Sequence, residues 1–544
     1  MTTRNNILSV PPGLRLFHRG DLDGFFALGL DNMLMLILMS NFCLGFPLYM
    51  PRELFFERIL PAAALGLVIG NLYYARQAWR LAQQEGRSDV CALPFGINII
   101  TLIAFVFLVL YPAKFIGEAQ GLTGDDVAIF AWRAGILACF VSGLIEFFGS
   151  FVAESIRRFT PRAALLAPVG GIGLCFLSMD FFFRAYASPL LGLVTLGVTF
   201  LFYFGRLRIK GGIPSGLIIL VTGTGLAWML HFVQGAQVVP VGNLADARLA
   251  FYLPVPVLGD LVASFSMLPL FLPVILPIGC ISVIMSLQNI ESATAAGDRY
   301  PMLPSMLWNG VSSILTGAFG SPFPTSIYIG HPGWKAIGSR VGYSVLNAVF
   351  VSILCLTGAL SWVVYFVPVE AGMAILIWIG VAMASQAFEA SPARHIPAVV
   401  VGMMPVLAAF CALLVKKTLV SLGFGGADKP FPTDMGDTFV STTDFFVQGM
   451  LSLEQGYVYT SMVLGAATVY IIERQFGRAA IWFLIGAALS GIGFIHSFVI
   501  EQADVVGRIG FFFTAPATMA YLLLAAVTWL LPRFSEADPE KGVI

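Results

Sequence analysis

The stretch Ala92-Leu93-Pro94-Phe95-Gly96-Ile97-Asn98 and its counterpart Gly320-Ser321-Pro322-Phe323-Pro324-Thr325-Ser326 decide how this chain folds. Each opens an apolar run. Each is too rich in proline and glycine to continue an α-helix, because proline lacks the backbone N–H and its ring crowds the preceding turn. Both therefore read as extended backbone that then starts a half-helix. Such backbone survives at membrane depth only when it is buried in protein or lines a wet cavity. The two stretches open the third and tenth apolar segments, which are seven apart. Seven is odd, so a second copy of a seven-segment repeat runs through the bilayer upside down. Interrupted segments at matching places in two inverted halves mark a transporter's binding site near the midplane.

The remaining sequence fits a lipid setting. Of 544 residues, 58% are hydrophobic and 11% are charged, against roughly 25% charged in soluble domains. Lys+Arg and Asp+Glu both total 30 and cancel. This balance excludes a soluble enzyme, a disordered scaffold and a nucleic-acid binder, which shows a basic excess. About sixteen apolar segments can be drawn, a few of them too short to cross a bilayer as plain helices. They include 91–111, 322–337, 480–498 and 511–531. With the N-terminus inside, 20 of the 30 positive residues fall in cytoplasmic connectors, nine fall outside, and Arg133 lies near the outer end of the fourth segment. This bias sets orientation and places both termini in the cytoplasm. The expected organisation is a tail over 1–23, one repeat over 24–235, an inverted repeat over 260–475, extra C-terminal helices over 476–532 and a tail over 533–544. Residues 418–455 read as a polar external loop.

Polar side chains inside such segments are costly and invite a functional reading; the alternative is an interhelical hydrogen bond that holds packing. Asp31 and Asn32 interrupt the first segment. Gln288, Asn289 and Glu291 lie in Ser286-Leu287-Gln288-Asn289-Ile290-Glu291-Ser292, where residues three apart share a helical face. Asn98, Thr325 and Ser326 stand where the half-helices are expected to begin, and these residue types also serve as N-caps. Phe95 is the aromatic placed beside them. Asp31 or Glu291 is the expected proton or cation handle, Glu146 reads as a structural partner, and His331, His395 and His496 read as interfacial. The seven cysteines show no CxxC spacing and read as small buried apolar residues. HExxH, GxSxG and Walker A motifs are absent, which argues against an enzyme or an ATP-driven pump.

The string from Gly310 to Ser326, GVSSILTGAFGSPFPTS, resembles the helix nine-to-ten signature of the nucleobase–ascorbate transporters, the xanthine/uracil permeases. Leu93-Pro94-Phe95-Gly96-Ile97-Asn98 and the run from Ile396 to Pro405 are similar to the same superfamily, and the similarity spans roughly residues 20 to 500. The resemblance implies an all-α polytopic fold of two inverted seven-segment repeats, with core and gate domains and broken segments three and ten. One or two C-terminal helices are added here. It also implies a secondary transporter working by alternating access on a small-molecule substrate, with proton or sodium coupling, no cofactor and a homodimer. The corresponding location is the bacterial inner membrane. Family members carry glutamates at positions occupied here by Met285 and, near the tenth segment, Ile329. Sulfate and bicarbonate transporters of the same architecture hold anions between two half-helix N-termini. Loss of those glutamates makes a small anion the alternative cargo. A channel or membrane receptor is the third class.

Overall fold

The computed structural model describes residues 15–45, 47–207, 209, 213–234, 249–425, 429–501 and 504–534. Most of the two expected tails lies outside the described residues, as does Gly426 of the external loop. The first half comprises α1 (Gly20–Leu44), α2 (Leu60–Glu85), β1 (Phe95–Gly96), α3 (Ile99–Ala119), α4 (Asp125–Phe159), α5 (Arg162–Ala187), α6 (Pro189–Tyr203) and α7 (Ser215–Gln234). The second comprises α8 (Leu258–Ala295), α9 (Met302–Ala318), β2 (Ser326–Ile327), α10 (His331–Ala336), α11 (Gly342–Leu356), α12 (Val369–Glu389), α13 (Ile396–Ser421) and α14 (Tyr457–Ile472). Then follow α15 (Phe476–Gly491), a hairpin of β3 (Phe498–Ile500) and β4 (Val505–Gly507), and α16 (Pro516–Leu530). Eight of the described helices are long and apolar enough to cross a membrane. By element order these are two seven-helix halves with two helices added. β1 and β2 hold the same place in each half.

Those strands meet. β1 pairs antiparallel with β2, Phe95 opposite Ile327 and Gly96 opposite Ser326. The Tyr328 N–H donates to the Pro94 carbonyl at 2.8 Å and extends the ladder. Each broken segment thus satisfies the exposed backbone of the other, which is what non-helical chain in a low-dielectric interior demands.

Proline also shapes the unbroken helices. The π-helical turns Phe55–Ile59 and Val106–Leu110 lie just ahead of Pro61 and Pro112. A proline cannot donate to the carbonyl four residues back, and a widened turn relieves the clash of its ring with that carbonyl.

Two sequence expectations need correction. The tenth segment does not start a long half-helix at Pro322: α10 has six residues and follows Gly330, whose φ of 98° is left-handed. Pro322, Pro324 and that left-handed glycine keep the backbone extended until His331. The fifteenth helix stops at Gly491 rather than near 498, because Gly493 takes a left-handed φ of 81° and the chain turns into the β3–β4 hairpin.

Glycine brings α4 and α9 into backbone contact, the close approach typical of membrane helices. A Cβ on Gly310 would stand 2.6 Å from the Phe147 amide nitrogen, and one on Gly143 2.7 Å from that of Ile314. Gly310→Ala is expected to cost about 1–3 kcal/mol by overpacking, read as a lower melting temperature of purified protein. An unchanged melting temperature would mean that the two helices yield freely.

Candidate functional site

Around the β1–β2 pair the helices deliver polar side chains into an apolar interior. From α1, Asn32 Nδ2 donates to the Phe95 carbonyl at 3.4 Å, and α2 adds a second donor there, Asn71 Nδ2 at 3.3 Å. Asn71 is itself held: its Oδ1 accepts from Ser344 Oγ at 3.0 Å and Asn347 Nδ2 at 3.2 Å, both on α11. Gly96 leaves room for Asn32, since a Cβ there would lie 2.5 Å from Asn32 Oδ1. Ile327 on β2 is gripped at both polar atoms. Its N–H donates to Asn309 Oδ1 and its carbonyl accepts from Asn289 Nδ2, each at 2.9 Å. Just beyond it, Tyr328 OH donates to Asp31 Oδ1 at 3.2 Å.

Several buried polar atoms in this neighbourhood have no protein partner: Asp31 Oδ2, Asn289 Oδ1, Ser326 Oγ and both amide atoms of Gln288. Asp31 and Gln288 are 0% exposed. An unmade hydrogen bond in such a place costs about 1–3 kcal/mol per group. The set provides mostly acceptors, with amide and hydroxyl donors. None of these side chains pairs with a Lys, Arg or His among the described residues.

The nine residues singled out from the sequence divide. Asp31, Asn32, Asn289 and Ser326 gather at the strand pair, and Gln288 adjoins Asn289 on α8. Phe95 joins through its carbonyl only. Its ring turns to α2, packing beside Tyr74 with ring centroids 5.2 Å apart and against Gly70. Asn98 is the N-cap of α3, its Oδ1 accepting from Ile100 N–H at 2.9 Å. Thr325 does not cap a helix: its hydroxyl meets Ser312 Oγ on α9 at 3.0 Å and its carbonyl accepts from Ser313 Oγ at 2.8 Å. Ser326 is no cap either, because it lies in β2, upstream of Gly330 and the start of α10. Glu291 stands apart. It is 3% exposed and ion-paired to Arg157 at 3.3 Å and Arg162 at 2.7 Å, at the α4–α5 corner. His331 is buried, 1% exposed, and its Nε2 lies 3.0 Å from Asp298 Oδ2.

Asn71, Asn309 and Tyr328 escaped the sequence reading. The signal was available for the two amides. Ile69-Gly70-Asn71 and Trp308-Asn309-Gly310 place an amide inside an apolar run, the same signal that marks Asn32.

No protein-family model matches the sequence, nor does any curated protein. Solved structures do. The transmembrane domain of BicA, a bicarbonate transporter of a cyanobacterium, aligns over 72% of this chain and 94% of its own, with 14% identity and a TM-score of 0.43. The structure of SLC26A9 aligns over 72% of this chain and 61% of its own, with 13% identity and a TM-score of 0.44.

Proposed function

We propose that this chain is a multi-pass secondary transporter that carries a small uncharged solute with the hydrogen-bonding pattern of a nucleobase. The observation that carries the reading is the group of unpartnered buried polar atoms beside the paired strands. Asn289 Oδ1 and Gln288 Oε1 are suited to accept ring N–H groups and Gln288 Nε2 to donate to a ring carbonyl, while Asp31 Oδ2 donates when the carboxyl holds a proton and accepts when it has lost it. They stand in for the two family glutamates missing at Met285 and Ile329. An anion would find little here. The Ile100 amide at the start of α3 is taken by Asn98, and α10 is a six-residue helix. A thermal-shift panel tests the choice: uracil or xanthine raises the melting point by binding the folded state, and bicarbonate and sulfate do not. Stabilisation by the anions alone would reverse the reading.

In this proposal α1–α4 and α8–α11 form the core, and α5–α7 and α12–α14 form the gate. Several polar links join the two sets at one end, among them Tyr470 OH on α14, which donates to the Phe159 carbonyl on α4 at 3.2 Å. Glu291 on α8 pairs with Arg162 on α5. Ser292 Oγ donates to Gln386 Oε1 at 2.5 Å, and Gln386 Nε2 donates back to the Ser292 carbonyl at 2.8 Å. Asp23 on α1 accepts from the Ser215 and Gly216 amides of α7. The proposal takes this end and both termini, by the Lys/Arg bias, to face the cytoplasm, with a bacterial inner membrane as the setting. Alternating access requires the links to break. Ser292→Cys with Gln386→Cys, in a Cys411→Ser background that removes the exposed thiol, is expected to lose nearly all uptake when bridged by a short reducible bifunctional thiol reagent. Reduction restores it. Full uptake in the bridged protein would exclude movement between these helices.

A further inference from the structure

We infer that Glu146 is a proton-binding site in the core, and that its occupancy is relayed to β2 through Asn309. Glu146 lies on α4 and is 2% exposed. Its Oε2 accepts from Asn309 Nδ2 at 3.1 Å, with the Ser313 hydroxyl alongside. One turn earlier on α4, Ser142 Oγ is buried without a partner. The titratable groups facing Glu146 are Tyr74 from α2 and Cys139 from α4 itself. From α8 comes Ser286, which shares Asn309 Nδ2 at 3.0 Å, and from α9 come Asn309 and Ser313. Among the described residues no Lys, Arg or His pairs with this carboxyl. A carboxylate without a cation in so dry a place is far costlier than the neutral acid, so in this arrangement the group holds a proton.

What sets Glu146 apart from an ordinary buried acid is the other end of Asn309. While Nδ2 contacts the carboxyl, Oδ1 holds the Ile327 amide at 2.9 Å, and Asn289 Nδ2 holds the Ile327 carbonyl. One side chain therefore stands between Glu146 and the strand that carries Ser326. Loss of the proton turns the Asn309–Glu146 contact into a charge-assisted bond, roughly twice as strong as a neutral one. It draws Nδ2 from Ser286 and shifts the hold on Ile327. A ligand that depends on the position of β2 then binds differently to the two protonation states, and that coupling is reciprocal. Asp31, by contrast, touches Tyr328 directly and belongs to the solute cluster. The role as a coupling site rests on the transport reading; the proton site itself does not.

Infrared titration of the purified full-length protein in lipid tests this without a substrate. Wild type is expected to show a protonated-carboxyl carbonyl band that is lost as pH rises and is absent in Glu146→Gln. Asp31→Asn leaves it in place. Should Glu146→Gln not accumulate, Asn309→Ala moves the same band by removing its donor. Hydrogen-exchange protection in the peptide containing Ile327, corrected for the intrinsic pH dependence of exchange, should change together with that band in wild type and stay constant in Glu146→Gln. No band that depends on Glu146, a band that answers to sodium instead of pH, or exchange indifferent to Glu146 would each overturn the inference. An intact band and relay in a protein that transports neither nucleobases nor anions would defeat the transport reading and leave this one standing.

Discussion

Gln288→Ala is expected to weaken uracil or xanthine binding roughly ten- to a hundredfold while leaving melting temperature and membrane abundance unchanged. Gln288 is 0% exposed, yet neither amide atom has a partner. Its removal breaks no hydrogen bond of the fold. Two bonds to a solute at about 0.5–1.5 kcal/mol each give that range, since about 1.4 kcal/mol is tenfold in affinity. Its neighbour behaves differently. Asn289→Ala removes the Asn289–Ile327 bond as well, so it lowers both affinity and stability. Equilibrium binding of labelled uracil and xanthine, paired with melting curves, separates the two. A Gln288→Ala protein that binds normally removes Gln288 from the site; one that melts early makes it a packing residue.

Asp298→Asn is expected to have the largest effect on stability, about 3 kcal/mol, as one partner is removed from a buried ionic cluster. Asp298 lies between α8 and α9 and is 0% exposed. Its carboxylate accepts from Arg87 Nη2 and Lys335 Nζ, each at 2.7 Å, and from the Cys91 N–H at 3.1 Å. His331 Nε2 lies 3.0 Å away. Cys91 leads into β1 and His331 opens α10, so one carboxylate fastens the same end of both broken segments. Burial pushes its pKa up, but His331 and Lys335 outweigh that and hold it down to about 2. The folded value lies below the unfolded value of roughly 3.9. The stability it contributes is therefore complete above about pH 4 and drains away as pH falls through 2. Unfolding curves across that window should fall more steeply for wild type than for Asp298→Asn. Parallel curves would mean that Asp298 is not ionised in the fold.

The architecture was legible because it rests on local chemistry. Proline and glycine set as close together as Pro94 with Gly96 and Pro322 with Pro324 break a helix, so both interruptions and their spacing followed. What they pair with was not legible. Phe95 and Ile327 are 232 residues apart, and their register depends on the assembled core. The start of α10 was misplaced because Gly330, not Pro322, decides it. For single residues, burial cost flagged the right kinds of side chain but not their partners. Glu291 and Asp31 look alike as acids in apolar helices. Only the fold brings Arg157 and Arg162 to one and leaves an oxygen of the other unpaired. Glu146 read as a structural acid because its link to β2 runs through Asn309, on another helix.

We propose that an uncharged hydrogen-bonding solute, not an anion, binds beside β1 and β2. Uptake of radiolabelled uracil, xanthine, bicarbonate and sulfate into proteoliposomes of the purified protein tests it most directly. Saturable uptake of uracil or xanthine, reduced at least tenfold in Gln288→Ala at low solute concentration and uncompeted by the anions, is the expected result. Saturable uptake of bicarbonate or sulfate with none of either nucleobase would contradict it.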